Sequence, residues 1–160
     1  MKQHLVTALL CLGVLLTACE RQPPTAAIQP ALTGSESFQV VGDYEMHYNA
    51  VRTDQLTADI ARAYGIERSK NKVLLNISVL HKNADGGTTA SDASIDLAVH
   101  NLNGQTKQVA LRRIAESNAI YYIAEAPFSG AETLVFVIKA LPNGSTTVLE
   151  ATLTREFFAN

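Results

Sequence analysis

From Phe38 to the end, the 160-residue chain is built of short runs in which apolar and polar side chains alternate, each run closed by turn chemistry. A period of two puts alternate side chains on opposite faces of an extended strand, and such a pattern cannot be wound into helices without scattering its apolar residues. Tyr44, Met46 and Tyr48 alternate with Glu45, His47 and Asn49, and Ile95, Leu97 and Val99 alternate with Asp96, Ala98 and His100. The run Val73 to Leu80 is apolar at nearly every position, as a strand covered on both faces would be, and Leu134 to Leu141 is also two-sided. Phe38 to Val41, Lys107 to Ile114, Ile120 to Glu125 and Thr146 to Phe157 complete the series, with turn signals at Asn103-Gly104 and Pro142-Asn143-Gly144.

One stretch breaks the pattern. Thr57 to Gly65 has an N-cap residue, an acid in the first turn and a glycine where a helix would stop, so it is expected to be a short helix. Seven or eight strands with one helix in a connection predict an all-β, immunoglobulin-like β-sandwich, with a small barrel as the alternative.

The start of the chain obeys different rules. Lys2 precedes an apolar run from Leu5 to Leu16, whose twelve residues would rise only ~18 Å as a helix, short of the ~30 Å hydrocarbon core. Leu16-Thr17-Ala18-Cys19 resembles a bacterial lipobox. Residues 1-18 are therefore expected to be a secretion signal, with Cys19 the lipidated first residue of the mature protein. Cys11 would be lost with the signal, leaving Cys19 alone, so no disulfide forms within one mature chain. Glu20, in place of the Asp that usually retains such proteins at the inner membrane, favours the outer membrane's periplasmic face.

Residues 19-37 contain Pro23, Pro24 and Pro30 among small and polar residues and read as a tether able to span up to ~50 Å. Residues 38-160 form the single expected domain. Removing Lys2 from 13 basic residues leaves 12 against 15 acidic ones, a mild acidity that argues against nucleic acid as partner.

The segment from Gly42 to Val79, with His47-Tyr48-Asn49-Ala50, Leu56, Tyr64-Gly65-Ile66, Arg68-Ser69-Lys70-Asn71 and Leu75-Asn76-Ile77-Ser78-Val79, together with Ala119-Ile120-Tyr121-Tyr122-Ile123-Ala124, resembles a family of short exported gammaproteobacterial proteins known only as a domain of unknown function. The resemblance implies an exported β-rich domain. It assigns no activity and no catalytic residues.

Motifs for chemistry are sparse. His47, His81 and His100 lack metal-ligand spacing, and adjacent Met46 and His47 point to opposite faces of a strand, so no metal and no cofactor are expected. Ser69-x-x-Lys72 runs into a strand and not along a helix, which removes the geometry that a Ser-x-x-Lys nucleophile needs. The densest polar and aromatic cluster is His47, Tyr48, Asn49, Tyr64, Arg68, Ser69, Lys70 and Asn71, the candidate binding site. Arg68 is expected to hold the connection through backbone carbonyls or an acid such as Glu45. The expected function is a non-catalytic, monomeric module that binds another envelope protein. The alternative is a small-ligand-binding or enzymatic domain with its site near His47, Tyr64 and Arg68.

Overall fold

A computed structural model describes residues 37-159; the expected signal, Cys19 and nearly all of the expected tether lie outside the described residues. The chain runs β1 (Ser37–Val41), β2 (Tyr44–Arg52), a single 3-10 turn (Thr53–Gln55), α1 (Ala58–Ala63), β3 (Lys72–Lys82), β4 (Thr88–Ala90), β5 (Ala93–Asn101), β6 (Leu111–Ala115), β7 (Ile120–Pro127), β8 (Ala131–Pro142) and β9 (Leu149–Phe158). One sheet has the order β1-β2-β3-β7-β6 with β4 against β3, and the other is β5-β8-β9, every pairing antiparallel.

Setting aside β1 and β4 leaves β2-β3-β7-β6 facing β5-β8-β9. That is the strand order of a constant-type immunoglobulin sandwich, four strands on three, with the last two strands of the chain forming a hairpin in the smaller sheet. The expected sandwich is therefore the observed one, and the barrel alternative falls because the strands form two separate sheets.

All eight alternating runs contain strands, and β4 is a ninth. After β3 the chain turns at Gly86, where φ is +86°, and returns along β3 for only three residues before crossing to the other sheet as β5. Of the run Lys107 to Ile114, only the part from Leu111 onward is strand. Lys107 N–H bonds the Val99 carbonyl at 2.8 Å on the small sheet, and the chain then crosses to the large one, laying Val109 and Leu111 against the core between them.

That core is filled by Val73, Leu75, Ile77 and Val79 of β3, Met46 and Ala50 of β2, and Leu134, Phe136 and Ile138 of β8, all fully buried. A second apolar layer lies on the opposite face of the large sheet. Leu56, Ile60 and Ile66 of the β2–β3 connection cover Leu74, Tyr121 and Ile123. Covering both faces of β3 explains its continuous apolar run, each such side chain contributing roughly 1.5–3 kcal/mol by burial.

The connection is held by local rules. Thr57 Oγ1 accepts from Ile60 N–H at 3.3 Å and caps α1. At the other end Gly65 takes φ +61°, while Gly65 N–H bonds the Arg62 carbonyl and Ile66 N–H the Ala61 carbonyl, a Schellman close whose Ile66 packs into the second layer.

Candidate functional site

Strand parity divides the eight candidate residues. Glu45, His47 and Asn49 lie on the face of β2 turned away from the small sheet, opposite Leu80, Ser78 and Asn76 of β3. Tyr48 points the other way and packs against the core between the sheets. His47 Nε2 lies 3.3 Å from Glu45 Oε2, and its ring stacks on Phe38 at 5.8 Å between centroids. Lys82 Nζ is 3.1 Å from Glu45 Oε1, and this ammonium, then His47, draws the Glu45 carboxyl below its usual range. Glu45 is thus engaged on its own face and is not the partner of Arg68.

Asn49 works at the corner where the sheets meet. Its Oδ1 accepts from Ala50 N–H at 2.8 Å and from Arg155 Nη1 at 3.0 Å, and Arg155 Nη1 also donates to the Ala50 carbonyl at 2.6 Å. Arg52 answers from the other side, donating to the Phe158 carbonyl and gripping Asp54 through Nε and Nη2 at 3.0 and 3.1 Å. These bonds tie the end of β2 to the last strand, β9.

Arg68, Ser69 and Asn71 fasten the far end of the β2–β3 connection. Arg68 Nη2 donates to the Asp54 carbonyl at 2.8 Å, a single solvent-exposed bond where several buried ones were expected. Buried Thr53 bonds Ser69 twice, its Oγ1 accepting from Ser69 N–H at 2.8 Å and donating to the Ser69 carbonyl at 3.1 Å. Asn71 N–H bonds Ser69 Oγ at 3.1 Å, and the Asn71 carbonyl accepts from Phe128 N–H at 3.0 Å. Lys70 is exposed. Tyr64, the C-cap of α1, donates its hydroxyl to Glu116 of the β6–β7 turn, and its carbonyl accepts from Arg112 at 3.0 Å. Burial, reinforced by Glu116, pushes the Tyr64 phenol well above its ordinary range and so away from any role as a base.

Two denser polar clusters carry no sequence signature. Asp92 precedes β5, and Arg113 of β6 grips its carboxylate at 2.9 and 2.7 Å, while Tyr122 of β7 donates to it and accepts from Ala93 N–H at 2.7 Å. Arg113, followed by Tyr122, holds the Asp92 carboxyl down at about 2, so it stays an anion with its oxygens occupied. In the second cluster Glu132 accepts from Asn101 at 2.9 Å and from Ser129 N–H at 3.1 Å, with Lys107 Nζ 2.6 Å away. Residues 21 to 31 positions apart in sequence meet here only because the strands order them so.

Open clefts flank this framework among the described residues. One of about 310 Å³ lies at the Arg52–Arg155 corner. Another, of about 410 Å³, separates Thr88 and Thr89 of β4 from Glu116, Ser117 and Asn118 of the β6–β7 turn. Among the described residues no three His, Cys, Asp or Glu side chains converge as metal ligands would.

Comparison with known proteins agrees with this architecture. The family model described as a domain of unknown function, DUF4426, matches residues 38–160. A DUF4426 protein from Pseudomonas aeruginosa PAO1, known from its crystal structure, is 31% identical, with a TM-score of 0.63 over 77% of this chain and 94% of that one. FetP of uropathogenic E. coli strain F11, crystallised as isolated after expression in the E. coli periplasm, is 15% identical with a TM-score of 0.48, over 76% of this chain and 91% of that one. Among curated proteins none matches.

Proposed function

This chain belongs to the DUF4426 family of domains of unknown function, and from that starting point we propose that it is a lipid-anchored protein of the bacterial envelope whose sandwich faces the periplasm and binds another protein without catalysing a reaction. The anchor follows from the Leu16-Thr17-Ala18-Cys19 sequence after a signal-like apolar run, and Glu20 favours the outer membrane. One observation carries the non-catalytic reading. The ionisable clusters are closed on themselves: Asp92 with Arg113 and Tyr122, Glu132 with Lys107 and Asn101, and Tyr64 with Glu116 each tie a connection to a sheet.

A tethered sandwich with its polar groups so engaged offers faces and edges for recognition, which is how this architecture commonly works. Its test is cross-linking of the full-length protein in intact cells with a short amine-reactive reagent. A discrete adduct with a second protein, absent for an unrelated lipid-anchored control, is expected; recovery of the uncross-linked chain alone would overturn the reading.

The cleft of about 410 Å³ favours a second reading, a small polar ligand among Thr88, Thr89, Ser117 and Asn118 beside the Tyr64–Glu116 pair. Soaking crystals with a panel of small polar molecules tests it, and no density in that cleft would count against it.

A further inference from the structure

The outward face of the small sheet breaks the rule that an antiparallel sheet with one side in water alternates apolar inside with polar outside. On β8 the inward residues Leu134, Phe136, Ile138 and Ala140 are fully buried, yet the outward ones are Val135, Val137, Lys139 and Leu141. This is the two-sided run of the sequence, and among the described residues no second layer covers it as one covers β3: Leu56, Ile60 and Ile66 all lie on the large sheet's side. Val137 lies between Ala98 on β5 and Thr152 on β9, and Val135 between His100 and Thr154, so the middle of the face is flat apart from the half-buried imidazole of His100.

Its two ends carry large exposed hydrophobics. Leu141 and Val148, 40% and 47% exposed, flank the β8–β9 turn, and Leu102, 71% exposed, sits beyond β5 beside Thr133 and Glu156. Charge borders the strip unevenly. Among the described residues Asp96, Glu150 and Glu156 are exposed on this side, against Lys139, which is already 2.8 Å from Glu150, and the imidazole of His100.

We propose that the outward face of the β5-β8-β9 sheet is the docking surface of this module, and that its occupant is a protein presenting a flat apolar strip bordered by lysine and arginine side chains. The proposal deepens the binding role proposed above and rests on it. Charge selects this occupant over a second copy of the chain. Two copies stacked face to face about an axis along β8 would set Asp96 of each against Glu150 of the other and Lys139 against Lys139, whereas a basic border answers all three acids. Area points the same way. Three strands about 4.8 Å apart and some eight residues long cover roughly 400 Å², about half of the ~800 Å² per partner that a stable interface buries. A larger partner makes up the difference by reaching the turns that carry Leu102, Leu141 and Val148.

Site-specific photo-crosslinking of the full-length protein in living cells tests the proposal, with a photoreactive residue at Val137, at Phe38 on the far face of the large sheet, or at Asp59 on α1 as background. The expected result is a discrete adduct with another protein from Val137 that exceeds the Asp59 background and falls at least ~5-fold when Asp96→Lys and Glu150→Lys are combined. An adduct from Phe38 but not from Val137 would overturn this surface and leave the binding role standing. No adduct from either position would remove both. A Val137 adduct of twice the chain's own mass, or one indifferent to the charge reversal, would overturn the stated occupant.

Discussion

Thr53→Val isolates what holds the long β2–β3 connection over the sheet. Valine matches threonine in shape but cannot bond Ser69, so the variant removes both the 2.8 Å bond from Ser69 N–H and the 3.1 Å bond to its carbonyl. Each such bond is worth roughly 0.5–1.5 kcal/mol net, and groups left unpaired add a desolvation cost. Ser69 is only half-buried, so water can recover part of that cost. The expected loss is about 2 kcal/mol, a fall of roughly 6–10 °C in Tm for a domain of this size. Thr53→Ser is the control. It keeps the hydroxyl and deletes one methyl from a fully buried site, for about 1 kcal/mol. Chemical denaturation of the three proteins decides the matter. If Thr53→Val were no less stable than Thr53→Ser, the double bond to Ser69 would not be what fixes the connection.

The opposite sign is expected at Ser78, whose Oγ is buried without a hydrogen-bond partner among the described residues, so Ser78→Ala should leave stability unchanged or raise it by up to ~1 kcal/mol in the same assay; a clear loss would mean that the hydroxyl has a partner. Asp92 should shape the acid limb. Its folded carboxyl is held at about 2, below the ordinary 3.8, so its stabilisation is full above pH 4–5 and fades as pH falls toward 2, and Asp92→Asn should flatten that limb in pH-dependent melts. Arg68→Ala should cost no more than ~1 kcal/mol, since its bond to the Asp54 carbonyl is solvent-exposed; a drop of several kcal/mol in its melt would show a buried role. Cys19→Ser should abolish labelling with a radioactive or alkyne fatty acid and leave unprocessed precursor, whereas normal cleavage and release would show an ordinary signal.

Much of this fold was legible because a two-residue period survives in any context: Met46 and His47 point to opposite faces as adjacent strand residues must, and Thr57 and Gly65 bracket α1 with the cap chemistry that a helix requires. What could not be read is long-range. β4 is three residues against β3, too short to leave a period, and residues 107–110 look like strand because Val109 packs against the core while this stretch of backbone crosses between sheets. The cluster around His47, Tyr64 and Arg68 is close in sequence, yet strand parity and the two ends of the connection distribute it among a sheet face, a corner and a latch. Asp92, Arg113 and Tyr122 are distant in sequence and adjacent in space, a meeting that no local pattern encodes.

The bonds that Arg155 and Arg52 throw between β2 and the end of β9 join residues more than a hundred positions apart. A chain synthesised from its N-terminus delivers β2 early and Arg155 almost last. Until then the Ala50 carbonyl and Asn49 Oδ1 wait for the Arg155 guanidinium that occupies them in the folded domain, and the corner between the sheets is not yet tied. Closure of so distant a contact is intrinsically slow. The interval between the emergence of β2 and the arrival of β9 is thus the period in which the corner between the two sheets is held by nothing but local contacts.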